Sequence, residues 1–286
     1  MADGLRAQAV EETVLAGTAL WSAVSVVAET GSTNADLIAA ARAGEPEGAV
    51  LVAERQTAGR GRLGRPWITE PGAALTFSVL VRPADVPPAA RIWLPLLTGV
   101  AVATAVRRLT GVDVGLKWPN DVVAIGAPAP GSMAKLAGIL AEQAGDAIVV
   151  GIGVNVAASP VLAAAGAAAD GESRSFPPGS LPPAALASLG VPDLDRTSLL
   201  AAILREFEHW YLRWARGAAP GDAAAAGLRA EYLRSCCTVG REVRVELPGG
   251  AVLAGRACDV DSAGRLLVAG RDGVEPVSAG DVIHVR

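Results

Sequence analysis

The stretch Gln56-Thr57-Ala58-Gly59-Arg60-Gly61-Arg62-Leu63-Gly64-Arg65-Pro66-Trp67 limits what this chain can fold into more than any other. Glycine and arginine alternate through it with almost nothing apolar between them, so it cannot form part of a core. Gly59-x-Gly61-x-x-Gly64 satisfies the dinucleotide-binding pattern literally. That pattern carries meaning only between a strand and a helix. Residues 49–54 predict the strand, but Pro66, Pro71 and Gly72 follow, and residues 75–81 predict a second strand where the helix should be. The local fold is therefore strand, loop, strand. The glycines let backbone N–H groups come close to a ligand. The arginines offer planar forks suited to phosphate and carboxylate. Trp67 adds an apolar or stacking wall. We expect a mobile loop that closes over an anionic ligand.

The rest of the composition narrows the function. Net charge is -4, with 25 basic and 29 acidic residues, which argues against a general nucleic-acid binder. Apolar residues make up 51% and mean hydropathy is +0.37. No unbroken apolar run reaches the roughly 18 residues of a spanning helix, and no basic-then-apolar signal segment opens the chain. A soluble, cytoplasmic protein without membrane attachment is expected. Cys236, Cys237 and Cys258 form neither a disulfide framework nor a metal spacing. His209 and His284 stand alone, so no metal site built from protein ligands is predicted. Only Lys117 and Lys135 among the basic residues are lysine. A genome-wide bias toward arginine explains the scarcity but not the placing of the survivors in dense, motif-like segments. A compact ammonium is what arginine cannot imitate, so both lysines are candidate functional residues.

Taken in order, the alanine-rich residues 1–23 predict a weakly helical extension, standing loose. A strand over 25–28 leads into Glu29-Thr30-Gly31-Ser32-Thr33-Asn34. Thr33 with Asp36 fits a capping box for a helix that Gly44 ends. The clustered hydroxyls and amide of Ser32, Thr33 and Asn34 exceed what one cap uses and suit a small polar ring. Helical period marks 96–109. Strands are expected over 114–118, 122–125, 136–144 and 148–156, with a Gly/Pro loop at 126–134. Gly151 and Gly153 in the last strand signal close backbone approach, and Asn155 is a lone amide in an apolar run. Residues 157–192 are low in complexity. Two helices follow, over 197–216 with an apolar stripe and over 222–235. Short strands at 239–247, 251–260, 266–269 and 282–285 predict a small β-barrel.

Gly31-Ser32-Thr33-Asn34, the 56–62 segment, Lys117-Trp118-Pro119-Asn120-Asp121, Lys135-Leu136-Ala137-Gly138-Ile139-Leu140 and Gly151-Ile152-Gly153-Val154-Asn155 together resemble the ordered motif set of biotin protein ligases. The closest likeness is to the short bacterial type without an N-terminal DNA-binding domain. The resemblance implies an α+β fold: a mixed β-sheet catalytic domain with flanking helices over 24–235, then a small SH3-like β-barrel over 236–286. It implies activation of biotin by ATP, with Mg²⁺, to biotinyl-5′-AMP. Transfer then goes to a lysine on a biotin carboxyl carrier domain of acyl-CoA or pyruvate carboxylases. Ser32, Thr33, Asn34 and Gln56 would hold the ureido ring. Gly59, Arg60, Gly61, Arg62, Lys135 and Gly138 would complete the biotin set. Arg62, Arg65, Trp67, Lys117, Asn120, Asp121 and Asn155 would bind ATP and the adenylate, with Lys135, Lys117 and Arg62 catalytic. A monomer or weak homodimer, binding no DNA, is expected. Lipoate ligases and octanoyltransferases share the fold class but need no ureido recognition. A non-catalytic biotin-binding module would not need the lysines and arginines.

Overall fold

The structure, a computed structural model, describes residues 5–67, 70–159 and 181–285. Its centre is a seven-stranded sheet in the order β1-β2-β3-β7-β6-β5-β4. The strands are β1 (Ala23–Thr30), β2 (Ala49–Gln56), β3 (Ala74–Val81), β4 (Val114–Lys117), β5 (Asp121–Ile125), β6 (Met133–Ala144) and β7 (Ala147–Asn155). β1 and β2 run parallel, joined through helix α2 (Thr33–Arg42), and every other pairing in this sheet is antiparallel. The Arg/Gly loop thus links two antiparallel neighbours, as strand, loop, strand requires.

Side chains alternate across a sheet, and here the two faces differ in character. On one face Leu75, Phe77, Val79, Ile148, Val150, Ile152 and Val154 join a large core. Helices α1 (Ala7–Leu15), α3 (Trp93–Thr110) and α4 (Arg196–Ala215) contribute Val10, Leu97, Val106, Leu200, Phe207 and Trp214 to it. The helical run Pro88–Thr110, most of which is α3, is long and apolar enough to cross a membrane by composition, but in this fold it is mostly buried in the core. On the opposite face, α2 covers Leu51, Leu80 and Val149 with Leu37 and Ala41. Beyond the N-terminus of α2 that face carries Ser78, Thr76, Gly151, Gly153 and Gly138. Register aligns Ser78 with Gly151 and Leu140, and Thr76 with Gly153 and Gly138. A groove floored by small and polar residues results where a core would need large ones.

Several expectations are corrected. Residues 5–21 do not stand loose: Val10 and Trp21 are buried, and the Leu5 N–H donates to Glu54 Oε1 at 2.6 Å. Glu54 also takes a two-pronged bond from the buried Arg196, at 2.8 and 3.0 Å. Burial would raise the Glu54 pKa, but the donors from Arg196 and Leu5 hold it below the ordinary value. The cap of α2 is Ser32, whose Oγ accepts from Ala35 N; Thr33 is already the first helical residue, and Asp36 instead bonds the Thr30 hydroxyl. The helix expected over 222–235 is α5, Leu228–Ser235. Its forerunner is broken because Asp222 caps a turn at Ala224 and Ala225 and Gly227 sits at φ 75°. The 126–134 loop closes a hairpin, with Gly126 N–H donating to Ser132 O at 2.9 Å. Most of the low-complexity segment, residues 160–180, lies outside the described residues.

The C-terminal strands are β8 (Glu242–Glu246), β9 (Val252–Val260), β10 (Leu266–Gly270), β11 (Gly273–Val277) and β12 (Asp281–His284). They form an antiparallel sheet in the order β11-β10-β9-β8-β12. β11 escaped the sequence reading because Gly273 and Pro276 suppress a strand pattern. No described residues pair β11 with β12, so the expected barrel is an open sheet. It docks firmly: Trp118 is fully buried, its amide N–H donates to Thr238 Oγ1 at 3.0 Å, and its indole donates to Gly264 O at 3.1 Å. Trp93 likewise donates to Ser262 O at 2.7 Å.

Candidate active site

Two chemically distinct clusters meet on the groove. The first is neutral and polar. The start of α2 places Thr33 and Asn34 over Ser78 and Gly151, and all three polar residues are buried. The Thr33 amide N–H and hydroxyl lie 2.8 and 3.0 Å from Gln56 Oε1. Ser78 Oγ lies 2.7 Å from Thr33 Oγ1 and 2.6 Å from Asn34 Oδ1. Asn34 Nδ2 donates to Leu140 O at 3.2 Å and to Glu142 Oε2 at 2.7 Å. Asn34 fits only because position 151 is glycine: a Cβ there would stand 2.3 Å from Asn34 Oδ1.

The second cluster is cationic. Lys117 ends β4 and is 8% exposed, its Nζ donating to Val282 O at 2.6 Å. Lys135 on β6 pairs with Asp121 at 2.6 Å. The turn between β4 and β5 sets Asn120, whose Nδ2 donates to Ile139 O at 2.9 Å and whose Oδ1 accepts from Arg62 Nη1 at 3.2 Å. Arg62 also donates to Gly280 O at 3.1 Å, and Arg65 pairs with Asp281. Burial pushes the Lys117 pKa down; Asp121 opposes this, while Lys135, Arg62 and Arg65 add to the depression. Arg62 is pushed down by burial, with Asp121 opposing. Four cations beside two carboxylates, Asp121 and Asp281, in a chain of net charge -4, are costly to gather unless a further anion joins them.

The loop bridges the clusters. Gly61 N–H donates to Arg65 O at 2.7 Å and Trp67 N–H to Gly59 O at 2.9 Å, so it is a folded hairpin with Arg60 exposed on its outer strand. Leu63 at its tip has φ 56° and is 74% exposed. Trp67 lies flat on the glycine row: a Cβ on Gly153 would stand 2.4 Å from its ring, and one on Gly138 3.2 Å. Lys135 Nζ is 5.9 Å from the same ring, a cation–π distance. Asn155 is spent on the scaffold, donating to Ala184 O at 3.1 Å and to Lys135 O at 3.4 Å. The loop thus lies against most of the nominated residues, while Arg60 is exposed, Ser32 serves as the cap of α2 and Asn155 as a strap on the strand bearing Lys135. Sequence reasoning missed Ser78, Glu142 and the 280–282 edge of the C-terminal sheet. Alternation would have placed Ser78 on the face of Thr76; nothing local marks Glu142 or Gly280.

A mixed sheet thus carries a polar groove beside a cation cluster and an arginine loop, an arrangement suited to a ligand with a neutral polar end and an anionic end. Residues 30–157 match the biotin/lipoate A/B protein ligase family, and residues 238–285 match the biotin protein ligase C-terminal domain. The chain is 44% identical over 272 residues to the biotin–[acetyl-CoA-carboxylase] ligase of Mycobacterium tuberculosis, covering 93% of this chain and 90% of that protein. It is 29% identical over 265 residues to the ligase of the same name from Paracoccus denitrificans, covering 90% and 98%. Among solved structures it resembles the biotin protein ligase from Aquifex aeolicus in complex with biotin and ATP, with a TM-score of 0.70 and 25% identity over 93% of this chain and 100% of that one. The chain belongs to the biotin protein ligase family.

Proposed function

We propose that the protein is an ATP-dependent biotin protein ligase acting on a lysine of a biotin carboxyl carrier domain. The observation that carries this reading is the gathering of Lys117, Lys135, Arg62 and Arg65 beside Asp121 and Asp281, next to a polar pocket of the buried Thr33, Asn34 and Ser78 and the half-buried Gln56. The pocket offers donors and acceptors in number and size suited to a ureido ring. The cations serve the other end of the same molecule.

In the first step the biotin carboxylate attacks the α-phosphorus of ATP. A carboxyl oxygen–phosphorus bond forms, the bond to the bridging oxygen breaks, and pyrophosphate leaves. Two anions must approach against repulsion. Fixed cations that bind more strongly as charge builds lower this barrier, and holding both reactants contributes the rest. Lys135, between Asp121 and Trp67, is assigned to the carboxylate and α-phosphate. Lys117 and Arg62 are assigned to the developing charge. Mg²⁺ would be held mainly by the triphosphate and would neutralise phosphate charge there, with Asp121, which pairs with Lys135, as the nearby carboxylate. Among the described residues no cluster of three metal-binding side chains is present.

In the second step the acceptor lysine, as free amine, attacks the acyl carbon. An amide forms, AMP leaves with the bonding electron pair, and the nitrogen loses a proton. The acyl adenylate must be kept from water until then, and the loop is placed to do so. Biotin-dependent acyl-CoA or pyruvate carboxylases are the proposed acceptors, and the cytoplasm, where ATP is supplied, the proposed location. ATP–pyrophosphate exchange with biotin, lipoate and octanoate in parallel tests this. Exchange with biotin alone is expected. Exchange with lipoate instead would move the protein to the sister activity, and no exchange with any acid would remove the ligase assignment.

A further inference from the structure

The donor and acceptor sense of the polar pocket is set by a residue outside the ligand motifs. One Ser78 proton cannot serve both Thr33 Oγ1 at 2.7 Å and Asn34 Oδ1 at 2.6 Å. The far side of Asn34 decides between them. Its nitrogen faces Leu140 O and Glu142 Oε2, and a carbonyl and a carboxylate only accept. The Asn34 nitrogen must therefore point at them and its oxygen at Ser78. Ser78 then donates to Asn34 and accepts from the Thr33 hydroxyl. With the Thr33 hydroxyl proton committed to Ser78, Thr33 Oγ1 and Gln56 Oε1 face each other 3.0 Å apart as two acceptors, and Gln56 Oε1 keeps only the Thr33 amide N–H at 2.8 Å. No proton lies between these two oxygens, so the buried Thr33 Oγ1 and the free lone pair of Gln56 Oε1 call for a donor from elsewhere. Reversing the Asn34 amide would reverse the whole relay. Asn34 would donate to Ser78, Ser78 to Thr33 and Thr33 to Gln56, and the call for an outside donor would disappear.

We propose that Glu142 is a positioning residue that fixes this relay so that Thr33 and Gln56 present an acceptor pair to a ureido N–H of biotin. It acts through Asn34 and Ser78 and does not itself touch biotin. The proposal rests on the biotin reading above. Leu140 O supports the same Asn34 orientation from a longer distance, so removing Glu142 weakens the preference without abolishing the pocket. The tight fit of Asn34 on Gly151 keeps the amide in place while either face could turn to Ser78.

The test measures biotin binding by calorimetry and steady-state ATP–pyrophosphate exchange for wild type, Glu142→Met, Glu142→Gln and Ser78→Ala. Methionine removes the acceptor. Glutamine removes the charge but keeps an acceptor oxygen for Asn34. Ser78→Ala cuts the relay at its middle without altering Glu142. Losing one charge-assisted hydrogen bond should raise the biotin Kd and KM of Glu142→Met by about tenfold. Its kcat and ATP KM should stay within about twofold of wild type, with Glu142→Gln close to wild type throughout and Ser78→Ala resembling Glu142→Met. The proposal is overturned if Glu142→Met binds biotin as wild type does. It is equally overturned if glutamine fails to rescue, or if kcat and ATP KM collapse together with biotin KM. Wild-type protein that binds no biotin would overturn the biotin reading and this proposal together. Wild type that binds while the variants do not separate would overturn the proposal alone.

Discussion

Both lysines of this arginine-rich chain, Lys117 and Lys135, lie in the cation cluster. Lys117 Nζ donates to Val282 O from a position 8% exposed, between a β4 backbone and the edge of a second sheet. A guanidinium is planar and wider and cannot place its charge at the same point. Lys117→Arg should therefore lower biotin-dependent pyrophosphate exchange by on the order of 100-fold, about 2.7 kcal/mol, the scale of losing one preorganised charge-stabilising group. Exchange within a few-fold of wild type would show that charge alone suffices there. At this scale the motif residues Thr33, Asn34, Gln56, Arg62, Lys117, Asn120, Asp121 and Lys135 were legible because each lies in a polar or glycine-rich break within an apolar sequence. Ser78 and Glu142 were not. A serine inside an apolar strand and a glutamate near a strand end look like ordinary occupants until register puts both beside Asn34.

Among the elements, the Arg/Gly loop is the one whose two ends do different work. Trp67 is pressed onto the glycine row of β6 and β7, while Arg62 is tied to Asn120 and to Gly280 O of the C-terminal sheet. Arg62→Ala removes both ties and one cation. It should slow adenylate formation and also let the intermediate escape, so that free biotinyl-5′-AMP appears in solution before transfer. Rapid-quench analysis of bound against free adenylate would measure this, and normal retention in the variant would remove the lid role. The two helix starts that sequence misplaced have local causes. At α2 the Ser32 hydroxyl competes with Thr33 for the same cap, and their order follows from which one has extended φ and ψ. At α5 the capped turn at Asp222 uses up the residues that its periodicity offered to a helix.

For the whole molecule, the decisive feature is that the C-terminal sheet closes the cation site. Val282 O, Gly280 O and Asp281 hold Lys117, Arg62 and Arg65. His284, one turn of pleat further along β12, sits 3.2 Å from Thr238 Oγ1, the acceptor of the Trp118 amide. Burial, then Lys117 and Arg241, push the His284 pKa down from 6.5 to about 4. The imidazole is therefore neutral when docked, and the unfolded chain binds its proton more readily. Stability from this residue is fully present above pH 6.5, falls as pH drops from 6.5 toward about 4, and is constant below that. Urea unfolding across this window should show a shallower pH slope in His284→Gln than in wild type. An identical slope would mean that the imidazole does not titrate between the two states.

What the sequence determined by itself follows from short-range rules. Alternation gave the strands around the site, proline after the loop excluded a helix there, and the rarity of lysine pointed to two positions. These signals depend on a few neighbouring residues and are written directly in the chain. Tertiary structure alone decided that residues 5–21 dock on the core, that the C-terminal strands remain an open sheet, and that its β12 edge completes the cation cluster. It alone placed Glu142 behind Asn34. Each of these depends on a pairing between residues far apart in sequence, where the free energy comes from burial and from satisfying donors that no local pattern records.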